Sequence, residues 1–396
     1  MRWVVSLCVV AAGCVPSIRP LYDAAHDAAL ADPGPPPAGW TPDAVVALSP
    51  PLVEAVLEAA IDAAGPLTAP IAVGPARVTP EIHLRSLAVA PARPCDGGCV
   101  GLDAEFGGSL GWSIGPVSGS TPLTARGALD AAFTLERDAG GFVVQVAPRR
   151  LRDVSVDVGG LEAQLQGIRR SVRATIEREA VARIPPQPIA RFPRAGLPIR
   201  AGRLVAGAGD GAVRVELLTV APVGAAVPAA AGDADLAPDD GFAVTIATDT
   251  LLALARAEAF RHGVVAHGVV PEPVSLAFDR DGFTLGLRLW RIEGHTWWRD
   301  YTIAGATRIA NGKLTLTPSS VTEGDRSKGA AIADPLAALA EGLILRAIED
   351  AVTTSLPLHA AQKVGAAPVS VVLTALEPGP SSVRATGTVT IGRPGR

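Results

Sequence analysis

Two stretches with helical apolar spacing lie 172 residues apart and constrain this chain more than any other feature. The later stretch spans 334–357. There Asp334 is a suitable N-cap, Pro335 fits the first helical position, and Pro357 ends the helix. Apolar residues recur on more than one face of this predicted helix. Such a helix must be enclosed on more than one side.

The earlier stretch, 159–185, repeats this design with one apolar stripe and an arginine-rich outer face. The Ile-Glu pair and the later aliphatic-Pro pair of each stretch are offset by 172 residues in every case. They are Ile176-Glu177 and Ile184-Pro185 in the first stretch, and Ile348-Glu349 and Leu356-Pro357 in the second. Strand-like sequence with a turn follows both helices, so we interpret the chain as a tandem duplication.

The remaining pattern predicts antiparallel strands around these helices. Apolar and polar residues alternate over 283–290, and hairpin turns are predicted at 138–141 and at Asn311-Gly312. A first helix is predicted from Ser49-Pro-Pro51 to Ala64, closed by Gly65. Its counterpart in the second half is predicted at 250–262, capped by Thr248-Asp249 and closed by Gly263. Residues 90–121 are predicted to be loop-like, apart from a strand at 100–106. The fold class is therefore α+β.

The N-terminus has the features of a bacterial lipoprotein signal over residues 1–13. Arg2 is followed by ten apolar residues, too few to span a bilayer, and then by Ala11-Ala-Gly-Cys14. Cys14 is the predicted acylation site. The residue after Cys14 is not Asp, which favours an outer-membrane anchor facing the periplasm. Residues 14–47 are predicted to be a Pro-rich tether. The alternative is an ordinary secretory signal.

Composition limits the partners and the chemistry. The formal net charge is −4, which gives no basic signal for nucleic acid. In an exported protein, Cys95 and Cys99 are predicted to form a disulfide, with free thiols or a metal site as alternatives. Gly207 to Gly211 resembles a phosphate loop, but strand-like sequence follows it, so a hairpin turn is predicted. Trp297-Trp298 is interpreted as cross-strand packing, with a membrane contact as the alternative.

The order of helices and strands resembles the tubular lipid-binding superfamily, the group of the bactericidal/permeability-increasing protein. The strand and helix at 242–254, and the end of the long helix at 347–357, carry the resemblance most. It implies two tandem units, each a long helix wrapped in a strongly curved antiparallel β-sheet. Their predicted bounds are 48–220 and 241–392, with a linker at 221–240.

The resemblance implies a non-catalytic protein that holds acyl chains between helix and sheet. Phospholipid or lipid A is the expected ligand, the Cys14 acyl group is the expected membrane contact, and no cofactor or metal is expected. The alternative is a structural or interaction lipoprotein of the envelope with a filled core. The predicted lining is the apolar helix faces: Leu52, Val56, Ile61, Leu165, Ile168, Val172, Leu251, Leu254, Leu343, Ile348 and Val352.

Overall fold

The structure is a computed structural model, and most of the described chain is β-sheet. It describes residues 17–68, 70–73, 75–90, 99–139, 141–159, 166–182, 186–193, 199–206, 212–219, 241–265, 268–280, 282–294, 296–310, 313–327, 361–364, 367–379 and 381–392. None of the helices in those ranges is both long and apolar enough to cross a membrane.

The described helices are α1 (Arg19–Leu30), α2 (Pro50–Ala64), α3 (Gln166–Ala182) and α4 (Thr248–His262). The strands of the first half are β1 (Ala44–Leu48), β2 (Leu67–Thr68), β3 (Ile71–Val73), β4 (Ala76–Val89), β5 (Cys99–Ile114), β6 (Val117–Asp138), β7 (Gly141–Val158), β8 (Gln187–Pro193), β9 (Ala201–Ala206) and β10 (Val213–Leu218). Those of the second half are β11 (Gly241–Ala247), β12 (Val269–Phe278), β13 (Gly282–Arg291), β14 (Trp297–Ala310), β15 (Lys313–Arg326), β16 (Ala361–Val364), β17 (Ala367–Pro378) and β18 (Ser382–Ile391).

The strands form three antiparallel sheets. The long-stranded sheet has the order β2-β4-β5-β6-β7-β8, with β3 also paired to β4. A four-stranded sheet has the order β12-β13-β14-β15. The third, which we call the shared sheet, has the order β16-β17-β18-β11-β1-β10-β9 and so takes strands from both halves of the chain. The two halves are therefore joined by backbone hydrogen bonds.

The shared sheet is arranged symmetrically about its two central strands, β1 and β11. A hairpin flanks each of them, and β16 is an additional strand at one edge. Val46 of β1 pairs with Val244 of β11 on one side and with Val215 of β10 on the other. The hairpin β9–β10 flanks β1, and the hairpin β17–β18 flanks β11. Each central strand leads directly into a helix, β1 into α2 and β11 into α4.

The long-stranded sheet places its apolar residues on one face. Alternate residues of β4 are buried from Ala76 to Ile82, as a strand with a single covered face requires. Helices α2 and α3 pack on this sheet, and their buried side chains belong to the same core cluster as those of its strands. The register shifts at several points, for example between Leu84 and Ser86. Such bulges bend strands, and the described chain includes a sheet curled into a half-barrel.

The local predictions with strong end signals are confirmed. Helix α2 runs to Ala64, and the Ser49 hydroxyl caps it by accepting a hydrogen bond from the Leu52 N–H at 3.3 Å. Gly65 ends α2 with a φ of 75°. The strands that flank the turn at 138–141 and those that flank Asn311-Gly312 form antiparallel pairs. The predicted cap of α4 is wrong, because its N-cap is Ala247 and no side chain caps the helix.

Within residues 90–121 the predicted strand at 100–106 is confirmed, but the prediction of a loop after it is wrong. Strand β5 begins at Cys99 and forms a long hairpin with β6 that reaches its turn at Gly115. Glycine and serine replace the usual β-branched residues here, so the strand signal is weak. The sheet needs this glycine content: a Cβ on Gly108 would lie 1.9 Å from the Glu81 carbonyl oxygen, and one on Gly119 would lie 2.5 Å from the Trp112 ring.

The N-terminal segment differs from the predicted tether at 14–47. Residues 19–30 form α1, which packs on α4 through an edge-on contact between Tyr22 and Phe260. The Pro-rich residues that follow are fixed to the body by Arg200, which donates hydrogen bonds to the carbonyls of residues 33, 34 and 35 at 2.8–3.1 Å. We call residues 17–43 the N-terminal strap, because side chains of both halves hold it.

Several predictions lie outside the described residues. These are the signal at 1–13 with Cys14, Cys95, the linker at 221–240, and the long helix at 334–357 with Leu343, Ile348 and Val352. Leu165 also lies outside. Helix α3 includes position 168, but the structure does not describe the side chain of Ile168. Cys99 is buried and has no free thiol, and the Cys95–Cys99 disulfide stays a prediction.

Candidate functional site

The contact between α2, α3 and the inner face of the long-stranded sheet is the main apolar layer of the first half, and we call it the seam. Helix α2 contributes one apolar face at helical spacing. On the sheet side the inner residues are mostly Val, Leu, Ala and Phe. The outer face of α3 carries Arg170 and Arg173, of which Arg173 pairs with Glu177 at 2.9 Å. The seam is therefore apolar inside and charged outside.

The predicted lining residues of the first half lie in the seam where they are described. Leu52 and Val56 are buried on α2, and Val172 is fully buried on α3. Ile61 is buried near the C-terminal end of α2 and borders a cavity of about 140 Å³. The cavity lining is Ile61, Asp62, Gly65, Pro66, Leu67, Ile82, His83, Leu84, Phe106 and Leu129. Leu52, Val56 and Val172 pack in the core and do not line the cavity.

The cavity exists because two features coincide at this point. Helix α2 ends at Gly65, so no further helical turn covers the sheet. The bulge after Leu84 interrupts the alternation of β4 directly beside the cavity. Seven of the lining side chains are apolar, whereas Asp62 and His83 are solvent-exposed. The result is an apolar recess with a polar rim.

Sequence reasoning missed the sheet side of this recess. Only helix residues were predicted to line it, yet Ile82, Leu84, Phe106 and Leu129 supply much of its wall. The signal was present, because the alternation of Ile82 and Leu84 with His83 and Arg85 marks one face of a strand. What the sequence lacks is the register that sets Leu84 opposite Phe106.

A polar contact holds α2 on the sheet beside the recess. The Glu54 carboxylate accepts a hydrogen bond from the backbone N–H of Val89 at 2.5 Å. Apolar side chains of α2, such as Val53 and Leu57, also pack in this layer. Apolar contacts are not directional, so the helix can shift against the sheet without breaking a ladder of hydrogen bonds.

In the second half, α4 packs differently from the predicted arrangement. Its buried residues include Ala257 and Phe260, which face α1 and β12, while Leu251 and Leu254 are half-buried. Phe260 belongs to an aromatic cluster with Tyr22 and Trp290. This side of α4 is therefore occupied by the N-terminal strap.

A buried polar network supports that cluster. Glu272 is 1% exposed, accepts a hydrogen bond from the Trp290 indole N–H at 2.6 Å, and forms an ion pair with Arg256. On the neighbouring strands, Arg288 and Asp300 form two parallel hydrogen bonds at 2.7 and 2.8 Å. These bonds hold the pKa of Arg288 above its usual range.

Trp298 also belongs to this network. Its ring lies 4.4 Å from the Arg288 guanidinium carbon, and Trp290 is its cross-strand partner. The structure favours cross-strand packing for Trp297-Trp298.

Asp43 is a second buried carboxylate, placed where the two halves meet. It is fully buried and accepts three hydrogen bonds of 2.9–3.0 Å from the backbone and hydroxyl of Thr219. Its backbone carbonyl accepts a hydrogen bond from Ala247 of β11. Burial raises the pKa of Asp43, and the hydrogen bonds from Thr219 oppose that rise. Asp43 therefore fixes β10 and β11 around β1.

In the part of the chain that the structure describes, no three His, Cys, Asp or Glu side chains form a group that would hold a metal ion. The strands β9 and β10, which flank residues 207–211, form an antiparallel pair, as the predicted hairpin turn requires. A dinucleotide loop would lead into a helix.

Comparison with known proteins gives structural likenesses only. No protein-family model matches the chain, and no curated protein does. A lipopolysaccharide binding protein covers 89% of this chain and all of its own length, at 12% identity and a TM-score of 0.34. P47 of Clostridium botulinum E1 covers 89% of this chain and all of its own, at 10% identity and a TM-score of 0.41. P47 from Clostridium botulinum A2 covers 88% of this chain and 97% of its own length, at 10% identity and a TM-score of 0.36. We draw no functional argument from likenesses at these TM-scores.

Proposed function

We propose that this chain is a non-catalytic lipid-binding protein of the bacterial cell envelope, and a distant member of the tubular lipid-binding superfamily. It holds acyl chains of phospholipid or lipid A in the seam. The observation that carries the proposal is the apolar recess of about 140 Å³ between the end of α2 and the sheet. An apolar recess with a polar rim suits a ligand with an apolar tail and a polar head.

The size of the recess limits what it accepts without a change of shape. An engineered apolar cavity of about 150 Å³ in another protein holds one benzene molecule. The recess therefore takes the end of one acyl chain, and a longer segment requires α2 to move away from β4. Each methylene transferred from water contributes about 0.8 kcal/mol, so eight of them supply about 6 kcal/mol toward that movement. The Glu54–Val89 hydrogen bond is the polar contact that opposes it.

The second half has the same order of strand, helix and antiparallel strands, and the long helix predicted at 334–357 would complete its unit. Leu343, Ile348 and Val352 would line a second seam on that helix. Leu251 and Leu254 are half-buried on α4 and stay candidates for its lining. The predicted acylation site Cys14 comes five residues before α1, the helix that packs on α4.

One observation favours the alternative, a structural or interaction lipoprotein. Away from the recess the seam is filled, with Val53, Val78 and Val172 at most 1% exposed. A protein whose seam never opens would hold no lipid and would act as a scaffold for other envelope components. The two functions differ in one measurable property, the uptake of an acyl chain between α2 and β4.

Photo-crosslinking tests this property directly. The chain starting at residue 15 is incubated with phosphatidylcholine that carries a diazirine at the end of one acyl chain, illuminated, digested and mapped. We expect the labelled peptides to include residues 61–67, 82–84 and 106, the walls of the recess. A label that spreads over exposed surface peptides, or labelling that excess unlabelled lipid does not reduce, would contradict the proposal.

A further inference from the structure

The end of the long-stranded sheet next to the β5–β6 turn is built from uncharged sequence. Residues 63–76 and 106–125 contain no Asp, Glu, Lys, Arg or His. Charged residues make up 19% of the chain, so about six would be expected in these 34 residues. The two stretches are separated by residues 77–105, which include charged side chains. Their shared lack of charge therefore needs a common cause.

The fold brings the two stretches together at one edge of the sheet. Ala76 pairs with Ile114, and Ile114 pairs with Val117 across the β5–β6 turn. Ile71 of β3 pairs with Val78, which in turn pairs with Trp112. The described strands of both stretches therefore lie side by side in the long-stranded sheet. We call residues 112–119 the hairpin tip.

Apolar side chains project from the hairpin tip into water. Ile114 is 49% exposed and Val117 is 57% exposed, although large apolar side chains are usually covered. Behind them the half-buried ring of Trp112 packs on Gly119, where any Cβ would collide with it. Single exposed apolar residues are ordinary, but a projecting apolar pair backed by an indole in a 20-residue uncharged hairpin points to a partner.

The backbone pairing of the hairpin suits shallow contact with lipid at the turn. The β5–β6 ladder is continuous from Cys99 to Ile114 and from Val117 to Ala132, so cross-strand pairing extends to the turn. Strand β7 pairs with β6 only from Leu123 onward, so the outer edge of residues 117–122 must stay at the level of the hydrated headgroups. Indole rings favour the boundary between headgroups and acyl chains, and Trp112 lies just behind the tip. The tip itself carries no charged side chain, and the exposed Arg77, which pairs with Ser113, can keep its guanidinium in the headgroup layer.

We infer that the hairpin tip docks on the surface of a neutral phospholipid bilayer. This contact goes beyond the proposed function, because it does not require lipid in the seam. It is also distinct from the predicted Cys14 anchor, because the tip lies in β5 and β6 whereas Cys14 precedes α1 in the sequence. With no Lys or Arg in the tip, the hydrophobic effect drives docking, and salt does not weaken it.

Vesicle flotation of the chain starting at residue 15, which lacks the acyl group, tests the inference. We expect binding to phosphatidylcholine vesicles that is the same in 0.05 M and about 0.5 M salt, conditions that differ strongly in screening. Ile114→Asp/Val117→Asp should bind at least tenfold more weakly, because two charges would have to enter the interface. The milder Ile114→Ser/Val117→Ser should bind several-fold more weakly and keeps the test valid if the aspartates impair folding.

Val264→Asp/Val265→Asp is the matched control, since these neighbouring valines are 45% and 41% exposed near the end of α4. This control variant should bind the vesicles to the same extent as the unmodified chain. Equal loss in both pairs, binding that disappears in high salt, or a salt-stable dimer in solution that the tip substitutions dissociate would each overturn the inference. Acyl-chain crosslinking in the recess should be unchanged by the tip substitutions, which separates a failure of docking from a failure of the proposed function.

Discussion

Filling the recess with a phenyl ring should stabilise the protein and exclude lipid. Ile61 borders the recess from α2, and a space of about 140 Å³ accommodates one ring. Ile61→Phe should therefore bury about 50 Å² of additional apolar surface without overpacking, a gain of about 1 kcal/mol at 25 cal/mol/Å². The added surface takes the place of about two methylenes of a bound chain. At about 0.8 kcal/mol each this loses about 1.6 kcal/mol, on the order of 10-fold in affinity.

Two measurements check this prediction on the same samples. Urea unfolding gives the change in stability, and displacement of a fluorescent fatty acid gives the affinity for acyl chains. Val53→Phe is the control for stability: Val53 is 1% exposed and lies away from the recess, so overpacking should cost about 1–3 kcal/mol. Leu57→Met conserves volume on the same helix and should leave the affinity unchanged. An Ile61→Phe protein that is more stable yet binds the fatty acid as tightly would refute the assignment of the recess.

Three further predictions concern other parts of the molecule. Because burial raises the pKa of Asp43 above its ordinary 3.8, the wild type should lose stability relative to Asp43→Asn as the pH rises through the raised value, measured by urea unfolding from pH 3 to 8. Glu272→Gln should cost about 2 kcal/mol and change the emission of Trp290, whereas exposed Glu293→Gln should cost less than about 0.5 kcal/mol. Arg200→Ala should release the Pro-rich part of the N-terminal strap, which limited proteolysis would detect as faster cleavage between residues 31 and 42.

The sequence was most informative where a local signal decides the structure. Ser49, the two prolines after it and Gly65 define α2 at both ends, because a cap and a helix stop act within a few residues. The turns at 138–141 and 311–312 were predictable for the same reason. The cap of α4 was not, since Thr248 and Asp249 offer suitable side chains that the structure places inside the helix.

Features that depend on distant partners were not predictable. Strand β1 is five residues of AVVAL with no alternation, and its position follows from pairing with strands that begin about 170 and 200 residues later. The shared sheet therefore has no local signal. The part of the β5–β6 hairpin nearest its turn was missed because its glycines matter only where another backbone or Trp112 approaches closely. The recess was predicted in part. Ile61 was predicted from the apolar face of its helix, whereas the residues that the sheet contributes to the recess depend on the strand register.

Native mass spectrometry with lipid extraction, on the chain starting at residue 15, tests the central claim most directly. We predict co-purified phospholipid or lipid A at one or two molecules per chain, and reduced occupancy in Ile61→Phe under the same conditions. One lipid molecule per chain would indicate that a single half binds lipid, and two would indicate that both halves do. An empty protein that also fails to take up a fluorescent lipid after delipidation would contradict the lipid-binding function and favour the scaffold alternative.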